Sequence, residues 1–493
     1  MKIINGGRLL SPFYVLSEDL MEKKFLSDYR SCVLMLDNEL RLSENFDIVG
    51  RDLKIDKHNA KLYFVDGFCK DEIMVKIMAY FLNAQEKDFR SLKSAREFAD
   101  KFIPYVETDV TADVSAFVKT VLSGGIGMII EGYEDAVIID ARTYPVRSVG
   151  EPENDKVLRG PHDGFVETLV FNTALIRRRI RDKNLTMEIH SVGKVSKTDV
   201  VVCYMKDKVN KKMLAVLQKK LDSITINSLS MSQQSLIDCL VPKQWLNPFP
   251  KVRYTERPDA VTASILEGNM VVLTDNSPAA MIIPTGIFDF LQDTNDYYMS
   301  PVIGSYMRII RMAIFAMTML LIPIWLLFIQ NPEYIPEWLS FIRIEEPNTV
   351  PVVAQLFIVE IVIDAMRLAS INTPHSLSSS FGVIGALVLG EFAVSAGWFV
   401  AEIVLYMAFV ALTNFTQPSY ELGYAFKLFR MMLIGLVALF DIWGFIGGML
   451  LIIVEIATTK TVTGQSYLYP LIPFKGSALA NLLLRRPISA KNN

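Results

Sequence analysis

The first half of the chain alternates β-rich apolar runs with amphipathic helical patterns, and this alternation occurs twice. Residues 62–82, LYFVDGFCKDEIMVKIMAYFL, combine a β-rich run with apolar positions at helical spacing. Residues 199–221, DVVVCYMKDKVNKKMLAVLQKKL, repeat that order. Each segment is therefore predicted to be a strand followed by a helix.

A second pair of matching segments follows downstream. Residues 121–139 and 265–283 each contain a small-residue turn, a strand, a polar turn and a second strand, with Gly124 and Gly268 in register. The chain is therefore predicted to carry two copies of one α/β unit, each closed by a β-hairpin. Chance similarity of two hairpins is the alternative.

A loop and a helix separate the two copies. The helical pattern of residues 165–181 ends in a run of arginines, which complement the helix dipole in a last turn. Aromatic residues do not interleave this run, so nucleic acid is not expected as a partner. We assign residues 1–147 to a first α/β subdomain, 148–190 to a linker loop and a helix with a basic end, and 191–290 to a second α/β subdomain.

Long apolar stretches replace this mixed pattern in the rest of the chain. Residues 312–330 carry no charge and are long enough to cross a hydrocarbon core of about 30 Å. Further apolar stretches lie at 351–369, 381–415 and 431–456. Residues 300–493 are therefore predicted to be a helical domain with several membrane spans, which makes the whole an α+β protein joined to a membrane protein.

Charged residues at the ends of the apolar stretches indicate an orientation. Arg308 and Arg311 precede the first stretch and an acidic loop follows it, so the positive-inside rule places both α/β subdomains in the cytoplasm. Residues 1–20 lack the pattern of a secretory signal, which agrees. Basic residues in 416–430 and in the tail favour the cytoplasm for both. One span at 431–456 cannot join two cytoplasmic ends, so either the positive-inside rule fails for the tail or residues 457–484 return to the membrane, and the number of spans stays open.

Composition follows the same division. The 493 residues include 50 Lys/Arg and 53 Asp/Glu, of which residues 312–493 hold only 9 and 11. This balance excludes a strongly basic nucleic-acid binder and a disordered chain. The four cysteines have no CxxC spacing and predict packed thiols, and the four histidines are too dispersed to indicate a metal site.

Motifs of common enzyme classes are missing from the sequence. SGGIG (123–127) is not GxGxxG, and GKVS (193–196) lacks the spacing of a phosphate-binding loop. GxSxG, HExxH and the protein-kinase motifs do not occur. We therefore expect neither catalysis nor a bound cofactor or metal.

Ionisable residues inside the apolar stretches are the candidate functional residues. A charge at the bilayer centre costs roughly 2.5–3.5 kcal/mol on insertion scales, so such residues usually face protein or water. In a symmetric oligomer these acids would form rings, which favour cations. The acids in question are Glu360, Asp364, Glu391, Glu402, Asp441 and Glu455. We assign Glu360 and Asp364 to an ion path first, and Asp441 and Glu391 next.

Two features of these stretches concern packing. Residues 351–370 are alternatively an amphipathic helix in the membrane interface, in which Asp364 and Arg367 form an intrahelical pair. Four small residues in 431–456 are expected to allow close helix packing, namely Gly435, Gly444, Gly447 and Gly448.

Several blocks of the sequence, in order, resemble the A subunits of the GerA family of spore germination receptors. The resemblance covers nearly the whole chain, and within the family it is strongest to the stage V sporulation protein AF branch. The blocks include EPEND, LRGPHDGF and NTALIRRRI (151–180), VGKVSKTDVVVCY (192–204), PFPKVRYTERPD (248–259), VEIVIDAMR (359–367), VIGALVLGE (383–391) and YLYPLIPF (467–474).

The resemblance implies a function that the residues alone do not name. Family A subunits lie in the inner membrane of bacterial spores and are thought to assemble into ring-shaped, pentameric channels that release monovalent cations at germination. It implies a homo-oligomer in contact with membrane lipid, with another germination membrane protein as a candidate partner. The chain departs from the family at Glu391, where Gln is usual, and at LSSSF (377–381), so selectivity or gating is expected to differ.

Two functions from different classes follow. The first is an oligomeric membrane channel subunit. The second is a non-conducting membrane scaffold or signalling adaptor that docks a separate germination channel. Cation flux through the purified protein in a lipid bilayer distinguishes them.

Overall fold

Two five-stranded sheets with the same strand order form the first part of the molecule. The computed structural model describes residues 25, 28–69, 71–103, 107–143, 159–241, 246–344, 350–372 and 392–485. The first sheet contains β1 (Ile48–Ile55), β2 (His58–Val65), β3 (Glu107–Thr111), β4 (Ile126–Ile130) and β5 (Ala136–Asp140). The second contains β6 (Leu185–Val192), β7 (Thr198–Met205), β8 (Arg253–Thr255), β9 (Met270–Thr274) and β10 (Ala280–Ile283).

The predicted internal repeat is confirmed by the strand order, which is β1-β2-β4-β5-β3 in one sheet and β6-β7-β9-β10-β8 in the other. Each sheet begins with an antiparallel hairpin whose second strand pairs with the strand of the next hairpin. The helices of this part are α1 (Tyr29–Glu39), α2 (Asp71–Phe81), α3 (Glu86–Ser91), α4 (Ala95–Phe102), α5 (Val114–Leu122), α6 (Leu169–Arg179), α7 (Lys211–Asp222), α8 (Ser232–Leu240) and α9 (Pro258–Leu266).

Gly124 and Gly268 hold equivalent places in the two copies. Each follows the last residue of a helix by two positions, after α5 and after α9, and each has φ +98°. This left-handed conformation ends a helix and is easiest for glycine. The same turn therefore directs the chain from a helix into the next strand in both copies.

Side chains of β2 alternate between two cores on the faces of the first sheet. Leu62 packs with Ile77 and Phe81 of α2, whereas Tyr63 packs with Phe117 of α5. This alternation is the period of two that a strand covered on both faces requires. One core of the second copy includes residues of α6, α9 and its sheet.

The burial of the four cysteines agrees only partly with the prediction of packed thiols. Cys32 and Cys203 are buried and Cys69 is half-buried, but Cys239 is exposed. Burial raises the pKa of the Cys203 thiol, so this side chain behaves as a small apolar group.

The basic end of α6 has a structural use that helix-dipole reasoning missed. Arg177 is fully buried, and its guanidinium donates to both carboxylate oxygens of Asp47, at 2.9 and 3.0 Å, and to the Leu185 carbonyl. Asn45 accepts from the Met187 amide at 2.9 Å. Residues 148–190, assigned to a linker and helix, thus include α6 and the start of β6, and they connect the two copies.

We expect Arg177→Met to open this connection, because it leaves the Asp47 carboxylate buried without its cation. Breaking a buried ion pair costs about 3 kcal/mol or more, which corresponds to about a hundredfold change in an opening equilibrium. Hydrogen exchange of the full chain checks this through the Met187 amide. Arg177→Met combined with Asp47→Leu should restore part of the protection, and equal exchange in the single and double variants would contradict the assignment.

The chain forms two compact units, and all the sheet residues except those at the ends of β8 and β10 belong to the first. The second contains residues 155–160, 237–253 and 283–493. Its helices are α10 (Asn295–Tyr298), α11 (Pro301–Gln330), α12 (Val352–Asn372), α13 (Ala393–Ser395), α14 (Ala401–Phe415), α15 (Tyr420–Thr458) and α16 (Gly476–Leu483), with 3₁₀ turns at Ile287–Leu291, Pro332–Tyr334 and Glu337–Ile342.

Of the described helices, α11 and α15 are long and apolar enough to cross a membrane. The end of the second unit at which α11 begins is called the near end below, and the end at which α11 stops is called the far end. Thr318 contacts Thr413, and Trp325 contacts Tyr406 further along, so α14 runs antiparallel to α11.

The first arm of α15 runs parallel to α11. Phe315, midway along α11, lies against Phe426 near the start of α15, and Asn331 bonds Asp441 at 2.7 Å at the far end. These contacts place the first arm of α15 beside the second half of α11, as far as its far end.

The long helix α15 is broken at Asp441, which has φ 55° and ψ −132°. In a straight helix Leu433 and Gly448 would be about 22 Å apart. Here a Cβ added to Gly448 would lie 2.6 Å from Leu433 Cδ2. The chain therefore reverses at Asp441 into two packed arms, so residues 431–456 do not form one straight helix.

This reversal resolves the conflict over the two ends of that stretch. Thr459, just after the second arm, accepts a hydrogen bond from Asn247 at 2.6 Å, and Phe249 stacks on Phe429 of the first arm at 5.1 Å. Both ends of α15 thus lie at the near end.

A buried tyrosine follows the second arm of α15. The Tyr467 hydroxyl donates to the Pro250 carbonyl, and burial raises the pKa of that phenol.

Candidate ion-path site

Glu360 lies inside the second unit, bound to an arginine of another helix. Its side chain is 3 % exposed and that of Arg430 is 1 % exposed. Arg430 Nε donates to Glu360 Oε1 at 2.9 Å, Nη2 donates to the same oxygen, and Nη1 donates to the Thr318 carbonyl at 2.8 Å. One guanidinium therefore connects α12, α15 and α11.

Asp364 lies one turn further along α12 and shares a lysine with Glu360. Lys427 Nζ is 2.5 Å from Asp364 Oδ2 and 3.0 Å from Glu360 Oε2. Asp364 differs from Glu360 in two ways, because its side chain is 35 % exposed and its Oδ1 has no hydrogen-bond partner among the described residues. The two acids therefore occupy unlike environments.

The spacing of these four charges explains why they meet. Glu360 and Asp364 are four apart on α12, and Lys427 and Arg430 are three apart on α15, so each pair lies on one helical face. Because the helices run in opposite directions, Glu360 meets Arg430 and Asp364 meets Lys427. The charge quartet formed by Glu360, Asp364, Lys427 and Arg430 is neutral.

Apolar side chains surround the charge quartet, which makes an uncompensated charge there costly. Ile322, Leu356, Ile403 and Ile434 belong to the core next to it, and each is buried. In such surroundings the attraction between opposite charges is stronger than in water, and an unpaired charge is more expensive. The quartet can therefore hold three helices in register and can exchange partners within itself.

The other two acids assigned to the ion path do not join the quartet. Asp441 accepts a hydrogen bond from Asn331 at the break in α15, about 16 Å along the helix from Arg430. Glu391 lies outside the described residues.

Arg367, predicted to pair with Asp364 on the same helix, lies against aromatic rings. Its guanidinium is 5.7 Å from the ring centre of Tyr420 and 5.2 Å from that of Tyr424. Cation–π attraction of this kind holds the end of α12 to the start of α15.

The four glycines divide into two kinds. A side chain at Gly448 would collide with Leu433 and one at Gly444 with the Leu436 backbone, so these two permit contact between the arms of α15. A Cβ at Gly435 or Gly447 would meet no atom within 4 Å.

Sequence reasoning used Lys427 and Arg430 only as markers of orientation and missed them as site residues. Arg308 and Arg311 were used in the same way. Arg311 donates to both oxygens of Asp296 at 2.7 and 3.0 Å, and Arg308 donates to the Asn481 carbonyl at 3.0 Å, near the end of α16. The matching spacing of 360/364 and 427/430 was the available signal.

Within the part of the chain that the structure describes, His, Cys, Asp and Glu side chains form no group of three that could hold a metal ion. The site consists of charged side chains, hydroxyls and main-chain carbonyls.

Comparisons with known proteins cover nearly the whole chain. A family model described as Bacillus/Clostridium GerA spore germination protein matches residues 36–493. Stage V sporulation protein AF of Bacillus subtilis (strain 168) is 36% identical over 455 residues, which is 91% of this chain and 90% of that protein. Spore germination protein KA of the same organism is 26% identical over 447 residues, 90% of this chain and 81% of that protein.

One solved structure is similar to the first part of the chain. It is the crystal structure of the N-terminal domain of the A subunit of the Bacillus megaterium spore germinant receptor GerK3. The match has 20% sequence identity and a TM-score of 0.41, and it covers 53% of this chain and 96% of that one.

Proposed function

The chain belongs to the Bacillus/Clostridium GerA family of spore germination proteins, and from this premise we propose that it is a subunit of an oligomeric membrane channel that releases monovalent cations during germination. The observation that carries the proposal is the charge quartet within an apolar helical unit. Charged groups buried in an apolar helical unit usually mark a path for ions or protons, or a contact that keeps such a path closed.

The outer surface of the second unit supports insertion in a membrane. Large apolar side chains point outward from α14 and α15, among them Leu412 at 66%, Leu439 at 76% and Trp443 at 76% exposure. Soluble proteins rarely expose apolar surface so continuously, whereas lipid or another subunit would cover it. Lipid contact and a homo-oligomer, which we propose to be a pentamer, account for this surface together.

Charge at the two ends supports an orientation with the α/β unit in the cytoplasm of the spore, beneath its inner membrane. The exposed residues Lys460 and Lys475 lie beyond the second arm of α15, which ends at the near end, and the exposed residues Glu333 and Glu337 follow α11 at the far end. This is the asymmetry of the positive-inside rule. The same proposal includes several membrane spans and a further germination membrane protein as partner. It includes no catalytic activity.

Asp364 is the acid of the charge quartet best suited to meet a passing cation, since Glu360 is enclosed by Arg430 and Lys427. This enclosure also favours the second candidate function. A non-conducting scaffold needs buried charges only to hold its helices in register, and neutral pairs suffice for that.

Single-channel recording separates the two functions. We expect the purified full chain in a planar bilayer to give discrete currents carried by K⁺ and not by Cl⁻, at low open probability, because a closed state still opens in a small fraction of time. Bilayers that received buffer and detergent alone are the control. Silence from the chain and from every variant with altered charges in the quartet would identify a scaffold.

A further inference from the structure

We propose that the Asp364–Lys427 pair is a releasable latch that keeps the ion path closed, while Glu360–Arg430 is the fixed half of the same quartet. This inference rests on the proposed channel function and concerns the regulation of that site.

Exposure and hydrogen bonding distinguish the two halves. Glu360 and Arg430 are enclosed at 3 % and 1 % exposure, and the guanidinium also holds the Thr318 carbonyl. Asp364 is 35 % exposed and keeps one carboxylate oxygen without a partner among the described residues. Separating Glu360 from Arg430 would strand an almost fully enclosed charge, whereas the Asp364 side chain is only partly enclosed, although its Oδ1 is buried.

Lys427 can release Asp364 without becoming an unpaired buried cation. Its Nζ remains 3.0 Å from Glu360 Oε2 and 3.4 Å from the Glu360 carbonyl. The lysine thus has a second acid in place, so the quartet has two arrangements that differ in one ion pair. Partner exchange of this kind suits a switch, because neither arrangement leaves a deeply buried charge alone.

The position of Asp364 gives the exchange a mechanical consequence. It lies one turn nearer to the C-terminal end of α12 than Glu360 does. Release at Asp364 removes the ion pair between that end of α12 and α15, while Arg430 still holds the helix at Glu360. The cation–π contact of Arg367 with Tyr420 and Tyr424 remains and is a weaker restraint than the ion pair. The freed carboxylate is then available to a cation.

The test uses the full chain in planar bilayers with two single substitutions, one that removes the positive charge of the latch and one that removes its negative charge. Lys427→Gln removes the latch and keeps the acid, so we expect open probability to rise at least tenfold with K⁺ conductance kept or increased. Asp364→Asn removes the latch and the acid, so open probability should rise while K⁺ conductance falls.

Controls separate this outcome from misfolding and from failure of the proposed function. Lys475→Gln changes an exposed lysine of the same unit and should leave open probability unaltered, and native mass measurement checks that each variant keeps its oligomer. If the wild-type protein conducts and Lys427→Gln does not change its open probability, the latch is refuted while the channel function is retained. Absence of current in wild type and in every variant would overturn the channel itself.

Discussion

Arg430→Met is expected to destabilise the helical unit strongly. The substitution removes three hydrogen bonds, two to Glu360 Oε1 and one to the Thr318 carbonyl, and leaves the carboxylate with Lys427 alone. Removing one partner of a buried pair costs about 3–5 kcal/mol. That is a large share of the stability of a typical domain, about 5–15 kcal/mol.

Tryptophan fluorescence during thermal unfolding in detergent measures this effect in the right part of the molecule. The four tryptophans among the described residues, Trp325, Trp338, Trp398 and Trp443, lie in the second unit. The transition of Arg430→Met should move to a much lower temperature than that of wild type.

Arg430→Met combined with Glu360→Gln is the matched variant, because it removes both charges of the pair. It should recover part of the loss, since a neutral amide beside Lys427 is cheaper to bury than an isolated carboxylate. An unchanged transition in Arg430→Met would mean that the pair contributes nothing to stability.

Local pattern was sufficient to predict the repeated α/β architecture. Gly124 and Gly268 sit at matching turns, and the runs beside them have the period that buried strands require. Such signals lie within about twenty residues of sequence, and each copy repeats them.

The partners of Glu360 and Asp364 could not be predicted in the same way. Depth and helical face can be inferred from α12 itself, but Lys427 and Arg430 are more than sixty residues away, on a helix whose direction depends on the packing of the whole unit. Arg177 gives the same lesson in the first unit, because its place in a last helical turn is consistent with a dipole role and hides its pairing with Asp47. Long-range ion pairs leave no periodic signal.

The reversal at Asp441 was hidden for a different reason. The stretch has no proline at the break, and its hydropathy is that of one continuous span. The available signal was the pair Gly444 and Gly448, four apart, a spacing that lets helices approach closely. These glycines predict contact with another helix, whereas in the structure the contacting surface is the first arm of α15 itself.

We therefore expect Gly448→Leu to force the two arms of α15 apart, with Gly447→Leu as the matched control. A side chain at Gly448 meets Leu433 at 2.6 Å, whereas one at Gly447 meets no atom within 4 Å. Overpacking of a tight contact costs about 1–3 kcal/mol, and here the backbone at the hinge already has a left-handed φ that favours glycine over aspartate.

Spin labels at Leu428 and Ile453 report the geometry directly. Both side chains are more than half exposed, at 56% and 55%, one on each arm. A continuous helix would separate these residues by about 38 Å. Packed arms have axes about 8–10 Å apart, so the hairpin predicts a much shorter distance even with the length of the labels added.

Pulsed electron resonance should give the short distance in the wild-type background and in Gly447→Leu, and a longer or broader distribution in Gly448→Leu. The native cysteines are first replaced, and labelled chains are diluted with unlabelled ones so that distances between subunits do not contribute. A distance near 38 Å in the unsubstituted protein would refute the hairpin. Because the hairpin returns the chain to the near end, that result would also put the tail and the loop at 416–419 on opposite sides of the helical unit.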